Sequence, residues 1–232
     1  MPESITGRRV LVVEDDRRTA EVIALYLRHA GHRVAVEHDG RTAIARARRE
    51  PFDLLILDRM LPGADGLEIC RTLTAERGVP VIFVTARTLE EDRIAGFAVG
   101  ADDYVTKPFS PRELVARANA LLRRAPLDAE PIRRLGDLEI DGARHEVRLA
   151  GARLALTPSE YAIVTTLADR AARPLSRSQL LGHLPGDSPD VLERTVDVHV
   201  RNIRRKFDLA RDGASAMLET VMGVGYRLVE PD

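Results

Sequence analysis

Five polar residues that can bind ions each follow a run of apolar residues in the first half of the chain: Glu14, Asp15, Asp58, Thr85 and Lys107. Three carboxylates in one crevice repel one another unless a cation joins them. Because hard divalent cations prefer oxygen ligands, these acids predict a site for Mg²⁺. Lys107 would add an ammonium and Thr85 a hydroxyl donor, and such a set of groups can stabilise a phosphoryl group during transfer.

Asp58 is the predicted nucleophile of this site, since a carboxylate can attack phosphorus to form an acyl phosphate. It ends the sequence DLLILD, an apolar run typical of a central strand that is buried on both faces. Its side chain should therefore lie deepest in the crevice. The alternative is that acids at strand ends only cap helices or stay solvated, which fits any one of the five residues but not all of them together.

The elements that must position these residues alternate between strands and helices. Strands are predicted at 9–13, 33–36, 53–57, 79–84 and 103–105, and helices near 17–30, 40–49, 66–76, 90–99 and 111–124. Five such units in a row predict an α/β domain, a doubly wound, flavodoxin-like parallel sheet with helices on both faces. Ligands bind beyond the carboxyl ends of the strands in such a sheet, where all five polar residues fall.

The pattern changes after residue 124. The sequence APLDAEPIRR at 125–134 has two prolines and no apolar period, which predicts a linker between a domain at 1–124 and a domain at 135–232. Short strands are predicted at 135–140, 145–149 and 153–156, helices at 157–171, 176–184 and 188–209, and a hairpin at 218–228. This order predicts an α+β winged helix-turn-helix domain.

Composition constrains the partners only weakly. The net charge is −1, so binding to nucleic acid must depend on the local placement of charge. The N-terminus lacks a signal-like apolar stretch, and no run approaches the roughly 18 apolar residues of a membrane span. A cytoplasmic protein is therefore expected.

The chain has 35 Lys plus Arg, of which only Lys107 and Lys206 are lysines. The compact ammonium at 107 therefore needs a chemical explanation.

The motifs VLVVEDD, DLLILDRMLPGADG, VIFVTAR and GADDYVTKPFSPREL resemble the receiver domain of bacterial response regulators. The resemblance implies that Asp58 accepts a phosphoryl group from a sensor histidine kinase, in a self-catalysed transfer by a protein that is not otherwise an enzyme. It also implies that Asp15, Asp58 and the backbone carbonyl of Met60 bind Mg²⁺ directly, and that Glu14 acts largely through water. The peptide bond between Lys107 and Pro108 is expected to be cis.

The same resemblance implies a route for the signal. Thr85 and Lys107 should move toward the added charge and oxygens of the phosphoryl group, and Tyr104 should turn inward to fill the space that Thr85 leaves. This would remodel the face made by the fourth helix, fifth strand and fifth helix. The alternative for Tyr104 is a half-buried aromatic residue on an edge strand.

A symmetric homodimer is the implied consequence. Arg93 would meet Glu113, and Asp103 would meet Arg117, across the two-fold axis, while Asp102 on the same face has no obvious partner. The alternative is a solvated charged face. Such pairs are individually worth about 0 to 1 kcal/mol, so they would set the partner and the register more than the strength.

The helix at 188–209 carries an apolar stripe and a basic outward face that suits the major groove. The sequences ERTVDVHVRNIRRKF and ETVMGVGYRL resemble the winged-helix effector domain of the OmpR/PhoB type. The DNA-binding residues expected from this match are Arg194, Thr195, His199, Arg201, Asn202, Arg204, Arg205 and Arg227, of which His199 is expected to support the helix. Asn202 stands where some relatives have a base-reading Arg and could pair with adenine. Met222 and Val224 stand in the wing where Arg and Thr are frequent.

Together these features predict a two-component, phosphorylation-dependent transcription regulator that binds tandem promoter half-sites as a homodimer and contacts RNA polymerase. One alternative is an adaptor whose winged helix binds protein. Another is an aspartyl-phosphate hydrolase, which normally needs a second Asp two residues after the nucleophile, where this chain has Met60.

Overall fold

The computed structural model describes residues 7–86, 90–123, 132–142, 144–170, 172–185 and 193–230, except for the side chains of 90–93. The described residues form two compact units that divide between Arg123 and Ile132. Each unit has its own hydrophobic core.

The first unit alternates strands and helices throughout. Its elements are β1 (Arg9–Val13), α1 (Arg17–His29), β2 (Arg33–Glu37), α2 (Gly40–Arg49), β3 (Leu54–Leu57), α3 (Gly66–Arg77), β4 (Val81–Thr85), α4 (Glu90–Ala98), β5 (Asp103–Thr106) and α5 (Pro111–Leu122). The strands pair in parallel in the order β2-β1-β3-β4-β5. The predicted doubly wound sheet is confirmed, and its winding reverses between β1 and β3.

The burial of each strand follows its position in the sheet. Every residue of β3 and β4 is buried, whereas the edge strand β2 has no fully buried residue, as expected for a sheet covered on both faces at its middle.

Acidic residues cap the helices α2 and α3, which follow the carboxyl ends of their strands. Asp39 accepts hydrogen bonds from the first turn of α2, and Asp65 accepts one from Leu67 in α3. These caps fix the loops around the candidate site.

The second unit has the predicted winged-helix architecture. Its elements are β6 (Arg133–Leu135), β7 (Leu138–Asp141), β8 (Glu146–Leu149), β9 (Ala152–Arg153), α6 (Pro158–Ala168), β10 (Leu175–Ser176), α7 (Arg177–Leu181), α8 (Glu193–Ala210), a 3-10 turn (Ala214–Met217), β11 (Leu218–Val221) and β12 (Gly225–Leu228). The strands β6 to β9 form one antiparallel sheet, and β10, β12 and β11 form another. Val196, Val200, Ile203 and Phe207 are the buried stripe of α8, as predicted.

Local details differ from the sequence predictions. The strand expected at 135–140 is a hairpin, because Gly136 adopts a positive φ of 56° and reverses the chain between β6 and β7. Arg133 pairs with Ile140, so the second unit begins inside the segment predicted as a linker, while 125–131 lie outside the described residues. The two-residue strand β10 was not predicted, since two residues carry no periodic signal.

No helix in the described part of the chain is long and apolar enough to cross a membrane.

Lys206 is buried in the second unit rather than exposed to a partner. Its Nζ donates to Oε2 of Glu160 and to the carbonyl of Ala155, both at 2.6 Å. The same carboxylate oxygen accepts from the backbone N–H of Thr157, the residue that caps α6. The pair therefore ties α8 to the start of α6, and its ammonium is not available for nucleic acid.

Replacing Lys206 with Met should destabilise the protein, because it leaves the Glu160 carboxylate buried without its counter-charge. The expected loss in the free energy of unfolding of the second unit is about 3 to 5 kcal/mol, measured by urea titration of the full chain. The double variant Lys206→Met/Glu160→Leu should recover part of that loss. Arg205→Ala, one residue away on the exposed side, is the control and should change stability by less than about 0.5 kcal/mol. A similar stability for Lys206→Met and Arg205→Ala would contradict this assignment.

Candidate functional site

The acids predicted to form a site lie together at the carboxyl edge of the sheet. Glu14 and Asp15 follow β1 and Asp58 follows β3, and one carboxylate oxygen from each lies within 4.8 Å of the others. Glu14 and Asp58 are buried, whereas Asp15 is exposed. The cluster thus has two carboxylates in the protein interior and a third at its mouth.

Lys107, which follows β5, reaches across this edge to both buried acids. Its Nζ donates to Oε1 and Oε2 of Glu14 at 2.8 and 2.7 Å and to Oδ2 of Asp58 at 2.6 Å. The Lys107–Pro108 peptide bond is cis, as the resemblance implied. One ammonium is therefore shared between two carboxylates that would otherwise repel each other.

The environment shifts the pKa values of both Glu14 and Lys107. Burial raises the pKa of Glu14 to about 7, and the charge of Asp58 adds to this rise while the hydrogen bond from Lys107 opposes it. Burial alone would lower the pKa of Lys107, but its hydrogen bonds to Asp58 and Glu14 raise that pKa above its ordinary value. Lys107 therefore stays charged at neutral pH, while Glu14 is close to its midpoint of ionisation.

The loop after Asp58 is held closely against the neighbouring helix. The N–H of Met60 donates to Asp58 Oδ1 at 3.1 Å, and the N–H of Gly66 donates to the carbonyl of Arg59 at 3.1 Å. A Cβ atom at Gly66 would lie 2.3 Å from the carbonyl oxygen of Asp58, so only glycine permits this approach. The Asp58 side chain is thus oriented by Lys107 on one oxygen and by a backbone N–H on the other.

The donor set fits a hard divalent cation. Three carboxylates face one ammonium, so the cluster retains excess negative charge whenever Glu14 is ionised. Oxygen ligands and a charge deficit are the conditions under which Mg²⁺ binds proteins. Among the described residues, the carboxylates that could hold such a cation are Glu14, Asp15 and Asp58.

His38 contributes a contact that the sequence did not indicate. Its Nδ1 lies 2.7 Å from the backbone carbonyl of Glu14, and since a carbonyl can only accept, Nδ1 carries the proton. The ring therefore fixes the backbone that presents Glu14 and Asp15. A single His between a strand and a helix has no spacing pattern that would have revealed this role.

Thr85 and Tyr104 both lie in the interior. Thr85 ends β4 and is 1% exposed, and Tyr104 in β5 is 4% exposed. The Tyr104 ring packs against Phe83 and Phe97, with centroids 5.6 and 6.4 Å away. Tyr104 lies on an edge strand, as the alternative held, but the half-buried state is wrong because its ring is buried and packs inward.

The charged face around α5 differs from the prediction in two ways. Asp102 is buried and therefore does not belong to a surface. Its Oδ2 accepts a hydrogen bond from the N–H of Val81 at the start of β4. Asp103 is also buried and pairs with Arg117 of its own chain at 3.2 Å. Burial raises the pKa of Asp103, although Arg117 opposes the rise.

Glu113 is the exposed member of this group and binds Arg117 at 2.7 Å. The prediction for Arg93 concerns a side chain outside the described residues.

The α8 helix separates its predicted DNA-binding residues into two sets. Arg194, Arg201 and Arg205 are exposed on the side opposite the apolar stripe. Thr195, His199 and Asn202 are buried, because the helical repeat places them beside the stripe. Thr195 and Asn202 are therefore wrong as surface contacts, whereas the burial of His199 agrees with a role in supporting the helix. Burial lowers the pKa of His199 to about 4, and the charge of Lys206 adds to this, so the ring is neutral.

Two further arginines make contacts within the domain. Arg204 donates from Nε to the carbonyl of Leu218 at 2.9 Å and from a terminal nitrogen to Thr220 Oγ1 at 2.8 Å. Arg227 donates to Glu219 on the adjacent strand at 2.6 Å. Arg204 thus anchors α8 on β11, and Arg227 pairs the two strands of the wing. Both side chains stay partly exposed, so their roles in DNA contact remain predictions.

Comparison with known proteins covers both units. Residues 10–119 match the family described as response regulator receiver domain, and residues 151–228 match the family described as transcriptional regulatory protein, C terminal. The second match favours transcriptional regulation over the adaptor alternative. The first match covers the segment that carries the three acids and Lys107.

Full-length relatives share this arrangement. The chain is 40% identical to the DNA-binding response regulator MtrA of Mycolicibacterium smegmatis, over 97% of this chain and 98% of that protein. It is also 40% identical to the phosphate regulon transcriptional regulatory protein PhoB of Klebsiella pneumoniae, over 95% of this chain and 97% of that protein. A solved structure of a RitR mutant matches with a TM-score of 0.74 and 27% identity, over 97% of this chain and 100% of that chain.

Glu14→Gln should stabilise the metal-free protein at pH 8 but hardly at pH 5. The pKa of Glu14 rises from 4.5 to about 7 on folding, so the folded state binds the extra proton, and that stability is lost as the pH rises through this window. The expected gain at pH 8 is about 1 to 3 kcal/mol in the free energy of unfolding. Urea titrations in EDTA at both pH values measure it, and an equal effect at pH 5 and pH 8 would contradict the shift.

Proposed function

Because the chain belongs to the response regulators of the OmpR/PhoB type, DNA-binding transcription regulators with a phosphorylatable receiver domain, we propose that Asp58 is its phosphoacceptor. The family implies a sensor kinase and promoter DNA as partners, and it is a family of regulators rather than of conventional enzymes. The receiver domain would comprise residues 1–124, and the DNA-binding domain would start at Arg133. The shared ammonium of Lys107 carries the assignment of Asp58.

The transfer follows from the orientation of that carboxylate. An Asp58 oxygen attacks the phosphorus of a phosphohistidine on the kinase, so that the O–P bond forms while the P–N bond breaks. The bond electrons stay on the leaving nitrogen, and the imidazole leaves as a neutral ring because its other nitrogen already carries a proton. When bound through Asp15, Asp58 and the Met60 carbonyl, with Glu14 acting through water, Mg²⁺ would neutralise the phosphoryl oxygens. Lys107 would transfer its hydrogen bond from Asp58 to the phosphoryl group, and the self-catalysed step needs no other enzyme.

The response to phosphorylation would pass through Thr85, Lys107 and Tyr104. Lys107 bonds to both buried acids, so a phosphoryl group competes directly for its donors. Thr85 lies at the same edge and Tyr104 lies one strand away with its ring already packed inside. This placement supports a switch in which the inward ring is stabilised when Thr85 moves toward the phosphate.

A homodimer through α4, β5 and α5 is the proposed output of the receiver domain. Glu113 is half exposed and shares Arg117 with the buried Asp103, so Glu113 can exchange to Arg93 of a second copy while Arg117 remains neutralised. Arg117 and Asp103 would then remain an ion pair within each protomer rather than between the two protomers.

The exposed arginines of α8 support the DNA contact. Arg194, Arg201 and Arg205 would bind phosphates and base edges in the major groove. Dimerisation would place two such helices on tandem half-sites, where avidity raises occupancy. RNA polymerase is the proposed downstream partner at the promoter.

Phosphorylation should increase DNA occupancy through Asp58. The protein is used to select random duplex DNA before and after treatment with acetyl phosphate and Mg²⁺, and the affinity for the selected tandem sites is then measured. We expect a gain of about 10-fold to 100-fold for the native protein, because the second half-site is bound intramolecularly. Asp58→Asn, which keeps the shape of the side chain, should show no gain. A gain of equal size in Asp58→Asn would refute the assignment.

Substitutions along α8 should distinguish residues that contact DNA from residues that stabilise the domain. Arg201→Ala should weaken DNA binding and reduce the slope of log affinity against log salt by about 1, with stability changed by less than about 0.5 kcal/mol. Arg204→Ala should lower the melting temperature, because Leu218 and Thr220 lose their donor. Arg144→Ala, an exposed arginine away from α8, is the control. A salt slope that Arg201→Ala leaves unchanged would argue against this face.

A further inference from the structure

A carboxylate lies on the basic face of α8. Asp197 is three residues after Arg194 and four before Arg201, so its side chain neighbours both on the helix surface. The Asp197 side chain is 42% exposed. A carboxylate at this position repels DNA phosphates, so its presence on the proposed DNA-binding face calls for a physical reason.

Two other elements hold this carboxylate in place. Its Oδ1 accepts from Arg177 Nε, at the start of α7, and from the Tyr226 hydroxyl in β12, both at 2.6 Å. The guanidinium of Arg177 lies 5.1 Å from the centroid of the Tyr226 ring and also donates to its hydroxyl at 3.3 Å. Arg177 compensates the charge of Asp197, and the two donors restrict its rotation.

Both donors bind the same carboxylate oxygen. Within the residues that the structure describes, Asp197 Oδ2 accepts no hydrogen bond from another group. The site therefore presents one fixed acceptor, adjacent to the two exposed arginines. Fixing an acceptor in advance reduces the cost of ordering it when a partner binds.

The major-groove edge of DNA offers a matching donor. Cytosine presents its N4 amino group there, and Asp and Glu are the side chains that accept from it. Adenine also presents an amino group, but its neighbouring N7 is an acceptor, which would repel a carboxylate. A fixed carboxylate on this face should therefore select cytosine.

We propose that Asp197 is a specificity-determining residue whose Oδ2 accepts a hydrogen bond from the N4 amino group of one cytosine in each DNA half-site. Arg177 and Tyr226 are the positioning residues that hold it. The inference rests on the proposed function, and it extends DNA binding to the identity of one base that α8 reads.

The test compares base preference rather than affinity alone. Sites selected from random DNA by the native protein should contain one cytosine whose replacement by any other base, or by 2-pyrimidinone, which lacks the N4 amino group, weakens binding at least about fivefold. Asp197→Asn should show less than about twofold discrimination at that position while it still binds. Tyr226→Phe, which keeps the carboxylate and removes one of its donors, should bind more weakly but retain the cytosine preference.

The outcomes are distinct. A uniform loss of affinity in Asp197→Asn with no change in base preference would overturn the proposal and leave Asp197 as a contact between α8 and the wing. Full binding to the 2-pyrimidinone duplex would overturn it with the native protein alone, whether or not the variant folds. If the native protein shows no salt-dependent DNA binding at all, the proposed function itself fails.

Discussion

The sharing of one ammonium between two buried carboxylates is the interaction on which this structure depends. Lys107 follows β5 and reaches past β4 to Asp58, and past β4 and β3 to Glu14. It can do so because the parallel strands end at a common edge. One positive charge does not neutralise three carboxylates, so the cluster suits a divalent cation. In the proposed function, the signal begins when a phosphoryl group takes the Lys107 donor from Asp58.

The use of lysine in this arginine-rich chain follows from the same physics. Both lysines place Nζ on a buried carboxylate: Lys107 on Glu14 and Asp58, and Lys206 on Glu160. A compact ammonium fits between oxygens in the interior, where a planar guanidinium needs more room. Arginine occupies exposed positions, such as Arg201 on α8, and also binds one buried acid, since Arg117 pairs with Asp103. The two lysines therefore mark two ion pairs with buried acids, and only the one at 107 was predicted.

Sequence patterns predicted the sheet and the acidic site well, because apolar runs that end in acids fix both the strands and the edge they share. They failed where the role of a residue depends on the direction in which its side chain points. Asp102 and Asn202 are polar residues in polar stretches, yet the first caps β4 and the second lies beside the core of α8. Arg204 lies at the edge of the outward face, but its guanidinium donates to β11. The contact of His38 with Glu14 depends on a tertiary approach that has no sequence period.

The most direct test of the shared ammonium is the affinity of the metal-free protein for Mg²⁺, measured by isothermal titration at pH 8 for the native chain and for Lys107→Met. If Lys107 neutralises Glu14 and Asp58 as the geometry indicates, its removal leaves more negative charge on the cluster, and Mg²⁺ should bind at least about tenfold more tightly. Glu14→Gln should bind Mg²⁺ more weakly than the native chain. An unchanged or weaker affinity in a folded Lys107→Met protein would contradict the account.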